Sequence, residues 1–368
     1  MYVIDPIGKE NPYGYYPGPD GSTTHYKPPW NGPLFPPALP DEDGHFDHLE
    51  FGSPQFEQAH AYGSIRFTLD IWEHYMGHPI NWHFGHEFDQ LEILFLRSLD
   101  NAYAGYGSIE IGSYTTKNDE FVPFGLSFDV LSHEVGHLIT YSLINIPEGV
   151  ELQDEYFGFR ESAADMVSMI TSLHFETALI GVLEASHGNL YTFNRLNRFG
   201  EVSDLGQLRL ASNQKTMADF KEGWVREHEL AQPLTGAFFD IWVDIFHEIL
   251  VAQKLISREI EALSDQLEWG PDYHNIMQPL FDEAYVKNPQ GFAMALAAAR
   301  DYMGEAFAKT WKRIDPERLD YEEIMRIFSA VDEELTGGLY NRIIVSNKER
   351  RAIGRVKIGP KLPKPPKN

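Results

Sequence analysis

The chain has 368 residues, more than one hydrophobic core usually organises, and this length predicts two lobes. Hydrophobic residues make up 43% of the chain and aromatic residues 13%, which is enough to close sizeable cores and excludes general disorder. The formal net charge of -25 repels a phosphate backbone and argues against nucleic-acid binding. The chain contains no cysteine, so any metal ion must be bound by His, Asp or Glu.

Residues 1–40 are rich in residues that break regular structure, with ten prolines and five glycines. This composition excludes a long helix and a central strand, and it predicts an extended segment that lies over the body of the protein. The first residues lack a basic stretch followed by an apolar core, and no apolar run approaches the roughly 18 residues of a membrane-spanning helix. The expectation from sequence is therefore a cytoplasmic protein without a membrane span.

Three elements are predicted in the first half of the chain. Apolar residues recur at helical spacing over Gln58–Tyr75 and again over Phe128–Ile144. Asp129 near the start of the second helix complements the positive end of the helix dipole. Between these helices, residues 102–111 alternate in polarity and predict one strand with two glycine breaks.

The second half of the chain is predicted to be mainly helical, because apolar residues return at intervals of three and four. The predicted helices are Glu161–Leu173, Leu234–Val251, Ile256–Leu267, Phe292–Met303 and Tyr321–Leu335. Residues 342–368 hold nine Lys or Arg and one acid, which predicts a basic tail. A solvated tail is the default expectation, and contact with an anionic surface or with the acidic body of the protein itself is the alternative. We accordingly divide the chain into an extended N-terminal segment (1–50), an N-terminal catalytic lobe with the metal helix (51–150), an α-helical C-terminal lobe (151–341) and the basic tail (342–368).

The main chemical signal is the motif H-E-V-G-H at residues 133–137, inside a predicted helix. A four-residue step places the imidazoles of His133 and His137 on one helix face, about 6 Å apart along the axis, so both can bind one zinc ion. Glu134 lies near the open position of such an ion, where its carboxylate can take a proton from bound water. The same five letters also occur by chance on unrelated helices, so the surrounding sequence decides.

A catalytic zinc ion needs a third protein ligand and leaves one position to water. Glu161 is the candidate, because small residues follow it and allow its predicted helix to pack closely. Asp165 lies one turn further on the same face, where it can orient His133 by accepting a hydrogen bond. Without the zinc motif, the two acids would read as an ordinary solvated helix face.

These motifs resemble the thermolysin family of zinc metallopeptidases (gluzincins), in which a helix bearing HExxH is followed by a helix bearing ExxxD. Asn101, Ala102 and Tyr103 resemble the family's edge strand, which binds the substrate backbone. The similarity covers roughly residues 55–250. It implies an α+β fold of two lobes, with a β-rich N-terminal lobe, a mainly α-helical C-terminal lobe and zinc in the cleft.

Two further positions carry family features. His228 precedes a long apolar helix and resembles the late histidine of the family, which stabilises the tetrahedral oxyanion; Glu222 and Glu227 are the candidates for orienting it. Asp129 occupies the place of a calcium ligand, but the acidic cluster expected after the third zinc ligand is missing. We therefore predict Zn²⁺ and do not predict the family's double Ca²⁺ site.

The sequence thus predicts a zinc metalloendopeptidase that acts on peptide or protein substrates. His133, His137 and Glu161 would bind zinc, and Glu134 would activate the attacking water. The alternative is a zinc-binding protein with weak catalysis that acts as a binding or regulatory protein, and an exopeptidase with a related site is the second enzymatic reading. The resembled family is commonly secreted, in contrast to the missing export signal; the oligomeric state is left open.

Overall fold

A computed structural model describes residues 1–18, 21–115, 121–144, 152–192, 194–196, 198–199 and 209–363. The chain divides into two compact units. One comprises Met1–Asn145 with Gly200–Leu208, and the other comprises Ile146–Phe199 with Arg209–Asn368.

The first unit combines eight described strands with two long helices. In chain order its elements are β1 (Tyr2–Ile4), β2 (Gly14–Pro17), β3 (Thr23–Tyr26), α1 (Pro54–Met76), β4 (Glu92–Phe95), β5 (Ala102–Gly105), β6 (Ser108–Ile111), β7 (Ser113–Thr115), β8 (Phe121–Pro123) and α2 (Phe128–Ile144). The main sheet has the order β1-β4-β6-β5, with β5 antiparallel to β6 and the other pairs parallel. β5 is therefore an edge strand of this sheet.

Both helices predicted in the first unit are confirmed. α1 begins after Ser53, whose hydroxyl accepts a hydrogen bond from Phe56 N–H at 3.1 Å, and it ends at Gly77 in the left-handed conformation. α2 has the bounds predicted from its apolar spacing. The side chains that produced that spacing are fully buried: Leu131, Val135, Leu138 and Ile139.

The N-terminal segment contacts buried carboxylates of the sheet. The hydroxyls of Tyr2 and Tyr13 donate to Glu92 on β4 at 2.6 and 2.7 Å. The Lys9 ammonium lies 3.1 Å from Glu110 on β6 and 3.8 Å from the centre of the Tyr13 ring. Both glutamates are buried, and a buried carboxylate is stable only with such partners. The start of the chain is thus part of the packing of this unit.

Residues 102–111 form a hairpin, and the prediction of a single strand is wrong. Gly105 on β5 pairs with Ser108 on β6, so Tyr106 and Gly107 make a two-residue turn. Gly107 has a φ of +84°, a conformation that favours glycine and suits a hairpin turn. The sequence analysis took the two glycines as breaks in one strand, whereas Gly107 lies in the turn where the chain reverses.

The second unit is mainly helical, as predicted. Its elements are α3 (Asp154–Ser172), α4 (Glu176–Ser186), β9 (Arg198–Phe199), β10 (Arg209–Leu210), α5 (Glu227–Ala252), α6 (Arg258–Leu267), α7 (Tyr273–Lys287), α8 (Pro289–Trp311), α9 (Tyr321–Thr336) and α10 (Asn341–Arg350). All five predicted helices are present, whereas α4, α7 and α10 were not predicted. α7 contains Pro279 and α10 is short and rich in charge, and both features obscure a helical pattern.

α5 starts seven residues before the predicted start at Leu234. Pro233 lies inside the helix, although a proline more often marks a helix boundary. Burial of Leu230 and Ala231 in the turn before it shows that tertiary packing outweighs the backbone hydrogen bond lost at the proline. As a consequence, His228 lies in the first turn of α5.

Over residues 342–363, which the structure describes, the basic C-terminal segment is not simply the solvated tail that was the default expectation from its charge. α10 leads directly into Arg351, which is fully buried and forms an ion pair with Asp240 of α5 at 2.5 Å. Its guanidinium also lies over the Trp269 ring, 4.6 Å from the centroid. Gly236 makes room for it, because a Cβ at that position would lie 2.6 Å from the guanidinium. The composition of the segment could not predict this burial, because it gives no information on the partner that Arg351 finds elsewhere in the chain.

Over the described residues, no single helix is long and apolar enough to cross a membrane. α3 and α4 pass that test as a pair, by length and composition, across a bend of 97°. Most residues of α3 are buried, which accounts for its apolar composition.

Candidate metal centre

The H-E-V-G-H motif lies on the buried helix α2. His133 and His137 are 5% and 7% exposed, and their ring centroids lie 4.7 Å apart with the planes at 85°. His137 also stacks on Tyr141, one turn further along the helix. The four-residue spacing thus brings both imidazoles to one helix face, as the sequence predicted.

Glu134 is held by the edge strand β5 of the same unit. Its Oε2 accepts a hydrogen bond from the Ala104 N–H at 2.7 Å. The Gly112 N–H donates to the Asn101 carbonyl, so these two residues form a hydrogen-bonded pair of the hairpin. Hydrogen-bonded and non-hydrogen-bonded pairs alternate along antiparallel strands, so the backbone N–H and C=O groups of Ala102 and Ala104 point away from β6. The outer edge of β5 therefore fixes the orientation of the Glu134 carboxylate, which the sequence analysis predicted to be the general base.

Glu161 lies on α3 of the second unit and is buried, with small residues around it. One turn earlier, a Cβ on Gly158 would lie 1.9 Å from the Tyr321 hydroxyl and 3.0 Å from Leu230. That hydroxyl donates to the Leu230 carbonyl at 2.8 Å, which ties α9 to the start of α5. The close approach at Gly158 therefore fixes α3, and with it the position of Glu161.

One group of His and acidic side chains in the described part of the chain could hold a metal ion. It consists of His133, His137 and Glu161, which are all buried and whose ligand atoms lie within 4.8 Å of one another. Two imidazole nitrogens and one carboxylate oxygen are a donor set used by catalytic zinc sites, with bonds of about 2.0–2.2 Å. The three side chains therefore fit a zinc ion, and their role as its ligands stays a prediction.

His228 faces the same carboxylate. Its Nδ1 lies 2.7 Å from Glu161 Oε2, and its side chain is 53% exposed. The sequence nominated Glu222 or Glu227 to orient this histidine, whereas the contact found is to Glu161. The position beside a candidate metal ligand agrees with a role for His228 near the reacting group, which stays a prediction.

Two functional groups near the site were missed by the sequence analysis. Ala104 supplies the N–H that holds Glu134, and it follows directly after the triplet Asn101, Ala102 and Tyr103 that was singled out; the two-residue period of a strand would have pointed to it. Arg160 places a guanidinium nitrogen 3.7 Å from Glu161 Oε1. The sequence did contain a signal for Arg160, because this cation directly precedes the candidate metal ligand Glu161.

The remaining predicted site residues have the following places. Asn101 and Tyr103 are exposed at β5, whereas Ala102 is buried. Asp165 is buried on α3, one turn after Glu161. Their roles in binding substrate and in orienting a ligand stay predictions.

Comparison with known proteins bears on the fold. No family model matches the chain, and no curated protein matches it. Among solved structures, the chain is similar to the precursor of protealysin, a metalloproteinase from Serratia proteamaculans, with a TM-score of 0.54 and 11% sequence identity. The similarity covers 95% of this chain and 86% of that chain. The predicted α+β fold of the thermolysin-like metallopeptidases is thereby confirmed.

Proposed function

We propose that the protein is a zinc-dependent metallopeptidase that cleaves peptide bonds within peptide or protein chains. The observation that carries this proposal is the buried group formed by His133, His137 and Glu161. The fold shared with a metalloproteinase precursor supports the same class. A zinc ion bound there would polarise the substrate carbonyl and lower the pKa of bound water.

Glu134 is the proposed general base. It neighbours His133 on α2, and the Ala104 N–H holds its carboxylate at 2.7 Å, so the group is fixed before substrate binds. A carboxylate in this place takes a proton from the attacking water and passes it to the leaving amine. The proton thus ends on the nitrogen of the bond that breaks.

The edge of β5 is the proposed binding surface for the substrate backbone. The backbone groups of Ala102 point away from β6, and an extended peptide can pair with such an edge by adding a strand. Asn101 and Tyr103 flank this position and are exposed. Binding through the backbone would hold the peptide extended and leave its side chains to set specificity.

His228 is the proposed donor to the oxyanion of the tetrahedral intermediate. Its imidazole is half exposed and lies beside Glu161, so it can turn toward a substrate without a change in the helix that carries it. Removal of one oxyanion donor typically costs about 100- to 1,000-fold in kcat. Asp165, buried one turn after Glu161, is proposed to orient a ligand imidazole.

The test compares two substitutions on α2 with a control. Glu134→Gln should retain zinc and lose about 100- to 10,000-fold in turnover, because the amide still accepts the Ala104 hydrogen bond but cannot take a proton. His137→Ala should lose both zinc and turnover. His74→Ala, which removes an exposed imidazole from α1, should change neither. Zinc content by elemental analysis and cleavage of a mixed peptide library, with and without a chelator, measure both properties.

Each rival reading predicts a different pattern. A binding protein would hold zinc but yield no chelator-sensitive products from the library. An exopeptidase would cleave free-ended peptides and leave peptides with both ends blocked intact. A protein that cleaves the library at its normal rate with Glu134→Gln would contradict the proposed mechanism.

A further inference from the structure

A row of alternating charges in the second unit leads from the C-terminal segment to the candidate metal ligand Glu161. The guanidinium of Arg160 lies 3.7 Å from Glu161 and 3.4 Å from Glu227. Glu227 in turn lies 3.4 Å from the ammonium of Lys361. The order from the candidate ligand outward is therefore negative, positive, negative and positive.

Arg160 is shared between two carboxylates with different tasks. Glu161 is almost fully buried, whereas the Glu227 side chain is 30% exposed and that of Arg160 is 24% exposed. A guanidinium beside a metal ligand competes with the metal ion for the carboxylate, because both are cations. Glu227 supplies a second anion for Arg160 and so reduces this competition.

The outer end of the row is fixed by the C-terminal segment. The backbone of Trp224 accepts from Leu362 N–H at 2.6 Å and donates to Pro360 at 3.2 Å. Lys361, between them, lies over the rings of Trp224 and Phe157, with its ammonium 4.6 and 5.1 Å from the two centroids. The ammonium is therefore held beside Glu227 by backbone pairing and ring contacts together.

We propose that Glu227 is a positioning residue that pairs with the Arg160 guanidinium and so weakens the attraction between Arg160 and Glu161. Lys361, which also pairs with Glu227, limits how strongly Glu227 holds Arg160. This inference rests on the proposed function, since it assigns Glu161 to the metal. It gives the basic C-terminal segment a part in setting metal affinity, which its sequence did not suggest.

The alternating order predicts effects of alternating sign on zinc binding. Glu227→Gln removes one of the two anions that lie beside Arg160, so more of the Arg160 charge acts on Glu161 and the zinc Kd should rise about tenfold, or about 1.4 kcal/mol. Lys361→Met keeps the packing stem but removes a cation, so the zinc Kd should fall by about threefold. Arg160→Met combined with Glu227→Gln removes the competing pair and should return the Kd to within about threefold of the unmodified protein.

The experiment measures the zinc Kd of the metal-stripped full chain by competition with a chromophoric chelator, at low and high salt. Lys348→Met is the matched control, because Lys348 pairs with Glu322 at 2.9 Å, away from the row, and its loss should leave the Kd unchanged. Thermal denaturation of the metal-stripped variants checks folding. High salt should shrink the shifts of both single variants, since both are electrostatic and the charges are partly exposed.

The outcomes separate this inference from the proposed function. An unmodified chain that binds no zinc would overturn both. A chain that binds zinc and cleaves peptides, but whose Kd is unmoved by Glu227→Gln or not recovered by adding Arg160→Met, would overturn this inference alone. Weaker binding in every variant, in parallel with lower thermal stability, would show a merely structural role. If Glu227→Gln does not fold, the sign of the Lys361→Met shift decides.

Discussion

Removal of the buried cation Arg351 should strongly destabilise the second unit. Its guanidinium has no exposed surface; it pairs with Asp240 at 2.5 Å and donates to Asn213 and to the Lys215 carbonyl at 3.1 and 2.9 Å. Arg351→Met keeps much of the volume but leaves the Asp240 carboxylate buried without its cation. Breaking one side of a buried ion pair typically costs about 3–5 kcal/mol, and we expect a loss in that range.

The loss should also depend on pH. Burial raises the pKa of Asp240 even beside Arg351, and loss of the guanidinium should raise it further. A carboxyl with a raised pKa in the folded state favours folding while it is protonated, and this stabilisation is lost as pH rises through the folded-state pKa. The variant should therefore be closest to the unmodified protein in acid and furthest from it at alkaline pH.

Urea denaturation, followed by circular dichroism and by tryptophan fluorescence, measures the effect, and coincident transitions would justify a single free energy of unfolding. Arg313→Met is the control, because Arg313 also pairs with a carboxylate, that of Glu334, but at the exposed surface. It should change stability little, since exposed pairs are screened by solvent. Equal losses for Arg351→Met and Arg313→Met would refute the reasoning from burial.

Three further predictions follow from single contacts. Gly158→Ala should lower the free energy of unfolding by about 1–3 kcal/mol, because its Cβ would overlap a hydroxyl of α9. Gly181→Ala is the control, since it has open space around it and should stabilise α4 by about 0.5–1 kcal/mol. Equal urea midpoints for the two variants would contradict this reasoning. Burial raises the pKa of Glu155 to about 7, so the free energy of unfolding should fall as the pH rises from about 5 to about 8. If a Glu155→Gln variant loses stability with pH as steeply as the unmodified protein, Glu155 is not the cause. Ala104→Pro removes the N–H that holds the proposed base at a free strand edge, and should lower turnover but not zinc content; unchanged turnover would contradict the role of this contact.

Local pattern accounts for much of the candidate site. The four-residue step between His133 and His137 follows from helix geometry alone, and the apolar spacing of α2 predicts which helix carries it. The position of Glu161 on a second helix was also accessible, because helical periodicity is a local property. That its ligand atom lies within 4.8 Å of both imidazole ligand atoms is a tertiary fact, which the motif suggested only through resemblance.

Other features depended on partners that are distant in sequence. The sign and number of charges after residue 341 predicted a solvated tail, but Arg351 is buried because Asp240, 111 residues earlier, lies opposite it. Apolar spacing predicted a helix start at Leu234, but α5 begins at Glu227, and Leu230 is buried in the turn before Pro233. In each case a local rule was outweighed by burial.

The amino-acid sequence by itself determined the helices with a clean apolar stripe, the absence of thiol chemistry and the pair of imidazoles one turn apart. These are consequences of periodicity and composition, which act over a few residues. The tertiary structure decided which carboxylate meets His228, which backbone N–H holds Glu134 and how Lys361 reaches Glu227. Contacts of this kind depend on how the whole chain packs, because burial makes each charge stable only beside the partner that folding brings to it.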